Sequence, residues 1–308
     1  MLVTRRELFA TALAAGTLEA GPRKVDISRI SAISDEIAKT PAEAIAFAKK
    51  YGLRWLELRD VPGGKGGYPD LSAAELREAA REFRDNGIGI SFLDAGLFKF
   101  SIPGTDVPRR TKETEEQRLK RVARDEQRFE KRSDDLRRAI DAAHILGCSK
   151  VRVFAFSRVA EPMKILPRVA GIFGPMVALA RSERTRLLLE NEGSCNVAAC
   201  RELAEMARLI PSRWFGLNFD TLNGTGQQEE AFPYGYSLLP KKRIGNFHVK
   251  GRSVLPGPQR QDWVGLFRAA ARDGYREQFG LETHIFGPGQ VQASHDSMQE
   301  IIRILAQV

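Results

Sequence analysis

The sequence predicts a single-domain closed (β/α)8 barrel, a TIM barrel. Two observations carry that prediction. Eight short apolar segments suited to strands are spread over about 285 residues, most of them followed by a helix-type segment. In addition, no G-x-G-x-x-G follows the first strand, so a doubly wound dinucleotide-binding sheet has no support. A chain of 308 residues could make two ordinary domains, but one large barrel would also use all of it.

The elements follow in order. Ile30–Ser34 reads as the first strand, and Thr40-Pro41 opens a helix with a capping hydroxyl and a proline in its first turn. That helix stops at Tyr51-Gly52, where glycine can take the left-handed conformation. Leu53–Leu58 is the second strand, Asp70–Asp85 a helix closed by Asn86-Gly87, and Ile88–Leu93 the third strand. A long connection leads to a charged helix from about Thr114 to Leu146-Gly147. Strands are then expected over Lys150–Phe156, Arg186–Glu190, Trp214–Asp220, Ile244–Lys250 and Gln278–Glu282. Helices are expected over Pro162–Ser182, Val197–Leu209, Asp262–Asp273 and Ser294–Ala306, with an irregular stretch after Asp220. Strands connected through helices imply parallel pairing with right-handed crossovers.

Composition narrows the function. Apolar residues are 43% and charged residues 28%, which argues against a disordered chain. Three cysteines, Cys148, Cys195 and Cys200, form neither a disulfide framework nor a C-x-x-C pair. Four histidines make a His-rich multi-metal site unlikely on numbers alone: His144 is expected to be structural and His295 to sit at the surface near the start of the last helix. The net charge of +9 admits a polyanion. The stretch Arg109–Arg138 interleaves its bases with Glu113, Glu115, Glu116, Asp125, Glu126 and Glu130, however, which marks a solvated helix face and no nucleic-acid surface. No apolar run reaches the roughly 18 residues of a membrane span.

The amino terminus reads as an address. Thr4-Arg5-Arg6-Glu7-Leu8-Phe9 precedes a short apolar run to about Leu18, and Pro22 ends any helix there. Paired arginines before such a run resemble a twin-arginine export signal. The expectation is a leader over residues 1–24, a barrel over 25–308 and an exported, periplasmic location, with a cytoplasmic one as the alternative.

The chemistry lies at strand ends. Strand five closes on Glu190, strand six on Asp220, strand seven on His248 and strand eight on Glu282, about 30 residues apart. One β/α unit takes about that length, so the four side chains should meet at one rim, where barrels of this kind carry their sites. Three buried carboxylates so close would repel unless a cation neutralised them. Any one of these acids could merely cap its strand or pair with an arginine; four consecutive strand ends make a metal set. Three oxygens and one nitrogen suit one divalent ion, Mn2+ first, with Mg2+, Co2+ or Zn2+ as alternatives.

The segments Leu187-Leu188-Leu189-Glu190-Asn191, Asn218-Phe219-Asp220, Phe247-His248-Val249-Lys250 and Gly280-Leu281-Glu282-Thr283-His284 resemble the sugar phosphate isomerase/epimerase superfamily of xylose isomerase-like barrels. The resemblance covers about residues 28–308. It implies Glu190, Asp220, His248 and Glu282 as metal ligands, Glu190 and Glu282 as the proton-transferring pair, and a small-molecule sugar as substrate. A lyase of the inosose or dehydroshikimate dehydratase type and a non-catalytic sugar-binding barrel are the other readings, and a homo-oligomer is compatible with all three. Departures from the ketose epimerases are Asn223, where they place a histidine three residues after the strand-six aspartate, and Glu192, where they often have one two residues after the strand-five glutamate. Lys250-Gly251-Arg252 after His248 argues against the multi-zinc endonuclease branch. Candidate substrate contacts are Glu57, Arg152, Glu192, Asn223, Lys250, Arg252 and His284, with Glu192 as an extra negative charge that disfavours a phosphorylated substrate.

Overall fold

The structure, a computed structural model, describes residues 24–64, 66–106, 108 and 112–308. The expected leader, with Arg5 and Arg6, lies outside the described residues apart from Lys24. Eight strands form one sheet: β1 Ile30–Ala32, β2 Trp55–Leu58, β3 Gly89–Leu97, β4 Lys150–Val153, β5 Arg186–Glu190, β6 Phe215–Asp220, β7 Ile244–Lys250 and β8 Phe279–Glu282. All neighbours pair in parallel, and β1 pairs β8. A single parallel bridge between Ile33 and Glu57 joins β1 to β2, so the sheet closes on itself as a (β/α)8 barrel.

The main helices are α1 Pro41–Tyr51, α2 Ala73–Asp85, α3 Glu115–Glu130, α4 Arg132–Ile145, α5 Pro162–Ser182, α6 Cys200–Leu209, α7 Trp263–Arg272 and α8 Gln290–Leu305. Local chemistry sets their ends. Thr40 accepts from the Glu43 N–H and Pro41 opens α1, while Gly52 closes it at φ 69°. Ser72 and Glu75 form a capping box on α2, so that helix starts three residues later than expected, after a short turn over Tyr68–Asp70. Asp262 caps α7 through the Gly265 N–H.

The charged stretch is two helices, not one. The chain turns at Lys131, and the Arg132 guanidinium takes up the Phe129 carbonyl (2.6 Å). The packing changes at this turn. Helix α4 buries Leu136, Ala139, Ile140, Ala142 and Ala143, whereas α3 buries only Arg121 and Asp125 over the loop that follows β3. Asp125 accepts the Ser101 N–H (3.1 Å), so a carboxylate anchors α3 there. The last helix starts at Gln290, four residues before the expected Ser294, and His295 is one turn inside it, stacked on Phe47 (4.8 Å) and bonded to the Tyr51 hydroxyl (2.9 Å).

Side chains alternate across the strands. Leu187, Leu189, Leu217, Phe219, Phe247, Val249, Phe279 and Leu281 are fully or almost fully buried in the core. Phe247 stacks on Phe279 at 4.8 Å, and Phe267 of α7 meets Phe279 edge-on at 4.8 Å. Burying each such ring contributes roughly 1.5–3 kcal/mol, so this layer holds the strand ends in place. Helix α5 is long and apolar enough to cross a membrane, with a mean hydropathy of 1.4 over its best window. It nevertheless carries Lys164, Arg168 and Arg181 and buries Leu166, Val169, Phe173, Met176, Val177 and Ala180, as a barrel helix does.

Candidate metal and catalytic centre

The inward-facing positions of β5 to β8 end in polar side chains at the carboxyl rim. Register places Asp220 beside His248 and Lys250 beside Glu282. Glu190, Asp220, His248 and Glu282 each offer one ligand atom, all within 4.8 Å of one another, and all four residues are buried. The Nδ1 of His248 lies 3.1 Å from Glu282 Oε2 and 3.4 Å from Glu190 Oε1.

Other charges enclose this set. Lys250 Nζ stands 2.7 Å from Glu282 Oε2 and 3.0 Å from Asp220 Oδ2. Arg152 Nη1 lies 3.1 Å from Glu190 Oε2, and its other nitrogens donate to the Asp94 and Ala95 carbonyls. Arg59 reaches Asp35, Glu36 and Glu282. Beneath, Glu57 accepts from Ser31 Oγ (2.6 Å) and Asn246 and faces His248 Nε2 (3.0 Å). Gly280 makes room for that carboxylate: a Cβ there would stand 2.0 Å from Glu57 Oε1.

These contacts set the protonation states. Burial would lower the His248 pKa, but the carboxylates of Glu190, Glu282 and Asp94 outweigh it and raise it well above the usual value. Burial would raise Glu190, yet His248 and Arg152 hold it down at about 2. Glu282 is likewise held well below the carboxylate range, against burial, by Lys250 and His248. For Asp94 burial wins, aided by Glu57 and opposed by Arg152, and its pKa rises to about 7.

The donor set fits a divalent cation. Six buried carboxylates, Glu36, Glu57, Asp94, Glu190, Asp220 and Glu282, are gathered there with Arg59, Arg152, Lys250 and His248, so the centre is rich in oxygen donors. Asp220 Oδ2 and Glu282 Oε2 are buried and accept no hydrogen bond among the described residues, although both face the Lys250 ammonium. Oxygens left so, beside an imidazole nitrogen, suit a hard or borderline metal ion.

A family model for the xylose isomerase-like TIM barrel matches residues 45–307. The chain belongs to that family. Solved structures of similar fold include a probable 3-DHS dehydratase from Bacillus anthracis (TM-score 0.66, 14% identity, 89% of this chain and 98% of that one). They also include an L-ribulose 3-epimerase (TM-score 0.64, 17%, 91% and 95%). A third is a xylose isomerase-like TIM barrel protein from Mycobacterium smegmatis in complex with magnesium (TM-score 0.61, 15%, 90% and 97%). No curated protein matches the chain. At these identities the likeness is one of fold; the site of this family member rests on its own geometry.

The candidate substrate residues divide. Asn223 is at the site, its Nδ2 3.4 Å from Glu190 Oε1 and its N–H on Asp220 Oδ1 (3.0 Å). Lys250 is also there, as a counter-ion of two of the acids. His284 lies at the rim, half exposed, with Nδ1 3.4 Å from Glu282 Oε1. Glu57 and Arg152 are buried behind the acids, where they hold His248 and Glu190. Glu192 points aside to Lys99 (2.8 Å), which cancels the extra negative charge expected at the mouth. Arg252 is exposed on the short helix Gly251–Val254 and, among the described residues, forms no hydrogen bond or ion pair with the three acids or His248. His144 bonds Thr185 (2.8 Å), a structural contact. Cys148 and Cys195 are buried, and burial pushes their thiols up to about 11 and about 12, which suits packing and not nucleophilic attack.

Sequence reasoning missed Asp94, Glu36, Arg59, Asn218 and Asn246. Asp94 could have been found, because it directly follows the expected strand end at Leu93; in the structure β3 runs on to Leu97 and Asp94 lies within it. Glu36 follows β1 in the same way. Asn218 and Asn246 lie one inward step below Asp220 and His248, and alternation alone points to them.

Proposed function

We propose that the protein is a divalent-metal-dependent isomerase or epimerase acting on a sugar or sugar derivative. The observation that carries this reading is the buried set Glu190, Asp220, His248 and Glu282 on four consecutive strands, whose ligand atoms lie within 4.8 Å of one another. A bound divalent ion, Mn2+ in our proposal, would supply Lewis acidity to a substrate carbonyl.

This chain's residues would do the rest. Glu190 and Glu282 are both ionised and stand on strands separated by two others, so they can face a substrate carbon from different sides. One, as a carboxylate, removes the proton beside the carbonyl; the other, after taking up a proton from water, delivers it to the opposite face, and the first then gives its proton back to water. Arg152 and Lys250 hold the two carboxylates in place, and Asn223 and His284 supply hydrogen-bonding groups at the rim. We also propose that Arg5 and Arg6 direct export of the folded chain; a lysine at both positions should then leave the protein in the cytoplasmic fraction.

The test uses Glu190→Gln and Glu282→Gln in chains checked for metal content. Both should lose about 10²–10⁴ in turnover of the sugar found by a screen with Mn2+. The variant that keeps the proton-removing glutamate should still take up deuterium from deuterated water, and the other should not. A product lighter by one water would move the assignment to a dehydratase. Full turnover by both metal-loaded variants overturns the two-carboxylate mechanism.

A further inference from the structure

The opposite face of the barrel holds a second charged site. The amino ends of β4 to β8 border a cleft of about 420 Å3 lined by Lys150, Arg184, Arg186, Arg213, Lys242 and Arg243, with Glu277 as the acid among the lining residues. We propose that this cleft binds a small multivalent phosphate-type oxyanion, away from the metal centre. Arg186 and Glu190 begin and end β5, so the two sites are about 13 Å apart along that strand.

The cations are poorly matched within the protein. Arg186 lies in the barrel floor, over two glycines: a Cβ at Gly216 would meet its Nε at 2.7 Å, and one at Gly245 its Nη1 at 2.9 Å. Its Nη2 donates to the Arg243 carbonyl (2.8 Å), but its Nε is buried without a partner. A guanidinium has five N–H donors, and a buried one left open marks a missing acceptor. Arg243 is placed beside it, fixed by the carbonyls of Ile210 (2.8 Å) and Phe215. Burial and then the charge of Arg186 hold the Arg243 pKa below its usual value, so like charges are packed together there.

Glu277 is taken up by Lys150 (3.2 Å). Arg184, Arg213 and Lys242 are exposed and form no ion pair among the described residues; Arg213 stacks over Trp214 at 4.9 Å. Among the described residues these five cations form no ion pair, and the one lining acid whose charge reaches Arg186, Glu277, is shared with Lys150. The cleft volume is in the range of small-molecule sites, which favours a compact anion over a polymer. A tetrahedral oxyanion carries several acceptors, enough to meet Arg186 and the rim together.

Pyrophosphate is the probe, titrated calorimetrically into the full chain after removal of metal. It should bind, more weakly as salt rises. The double variant R184Q/K242Q removes two exposed rim charges without touching the core and should weaken binding about fivefold or more. Arg186→Met should abolish it. R77Q/R81Q, on the exposed face of α2, should leave the affinity unchanged. The proposal is overturned if the wild-type chain gives no binding at millimolar pyrophosphate, or if R184Q/K242Q binds as well as wild type. It is also overturned if R77Q/R81Q weakens binding as much as R184Q/K242Q does, or if a single-stranded oligonucleotide binds and pyrophosphate does not. None of these outcomes depends on the reaction at the mouth.

Discussion

His248 and Glu57 are joined inside the barrel, Nε2 to Oε2 at 3.0 Å, with both side chains fully buried. The same imidazole turns Nδ1 toward Glu190 and Glu282. One ring thus has a nitrogen for the candidate metal and a nitrogen for an orienting carboxylate, an arrangement that fixes both the tautomer and the ring plane.

Replacing Glu57 with glutamine keeps the shape but weakens that hold. Metal affinity is expected to fall about 10–100-fold in Glu57→Gln, with the fold retained. Competition against a chelating dye measures it. An unchanged affinity in a folded variant removes the orienting role.

Asp220→Ala and His248→Ala each delete one ligand from the buried set. Each should abolish tight binding of one divalent ion per chain. Elemental analysis of the purified variants decides the matter, and full metal content in both would rule out the site as drawn.

Lys250 faces both Asp220 and Glu282. Removing it in Lys250→Met leaves two buried carboxylates without that partner, at a cost on the order of 3–5 kcal/mol in metal-free protein. Added Mn2+ should then raise the melting temperature of the variant more than that of the wild type. Equal gains would mean that ammonium and metal do not share these oxygens.

Asp94 gives the pH dependence. Its pKa is about 7 in the folded chain against an ordinary 3.8. The unfolded chain therefore loses this proton first, and the associated stability is lost as pH rises toward and through 7. His248, also raised, acts in the same direction above its usual 6.5. Metal-free protein should become less stable between about pH 5 and pH 8, and Asp94→Asn should flatten that fall by up to about 3 kcal/mol. Calorimetric melts across this range provide the check; parallel curves for the two proteins would contradict it.

The barrel and its rim were legible in the sequence because both rest on local rules. Leu187-Leu188-Leu189-Glu190 is an apolar strand with a polar end wherever it is placed, and four such ends about 30 residues apart can meet only at one rim of a closed sheet. Strands β5 and β7 and helix α5 begin and end where the pattern puts them. What depends on distant chain was not legible. Glu57 and His248 are 191 residues apart, and nothing local says that Gly280 leaves the gap in which they meet. At Lys131 the packing changes: α4 buries a row of apolar side chains against the barrel, whereas α3 reaches the core through Phe129, although both halves carry mixed charge. Whether Arg152 and Lys250 meet substrate or carboxylate was decided the same way. Both directions are open to a long side chain on a strand, and the low dielectric of the barrel interior leaves a buried cation stable only against the acids that the neighbouring strands bring to it.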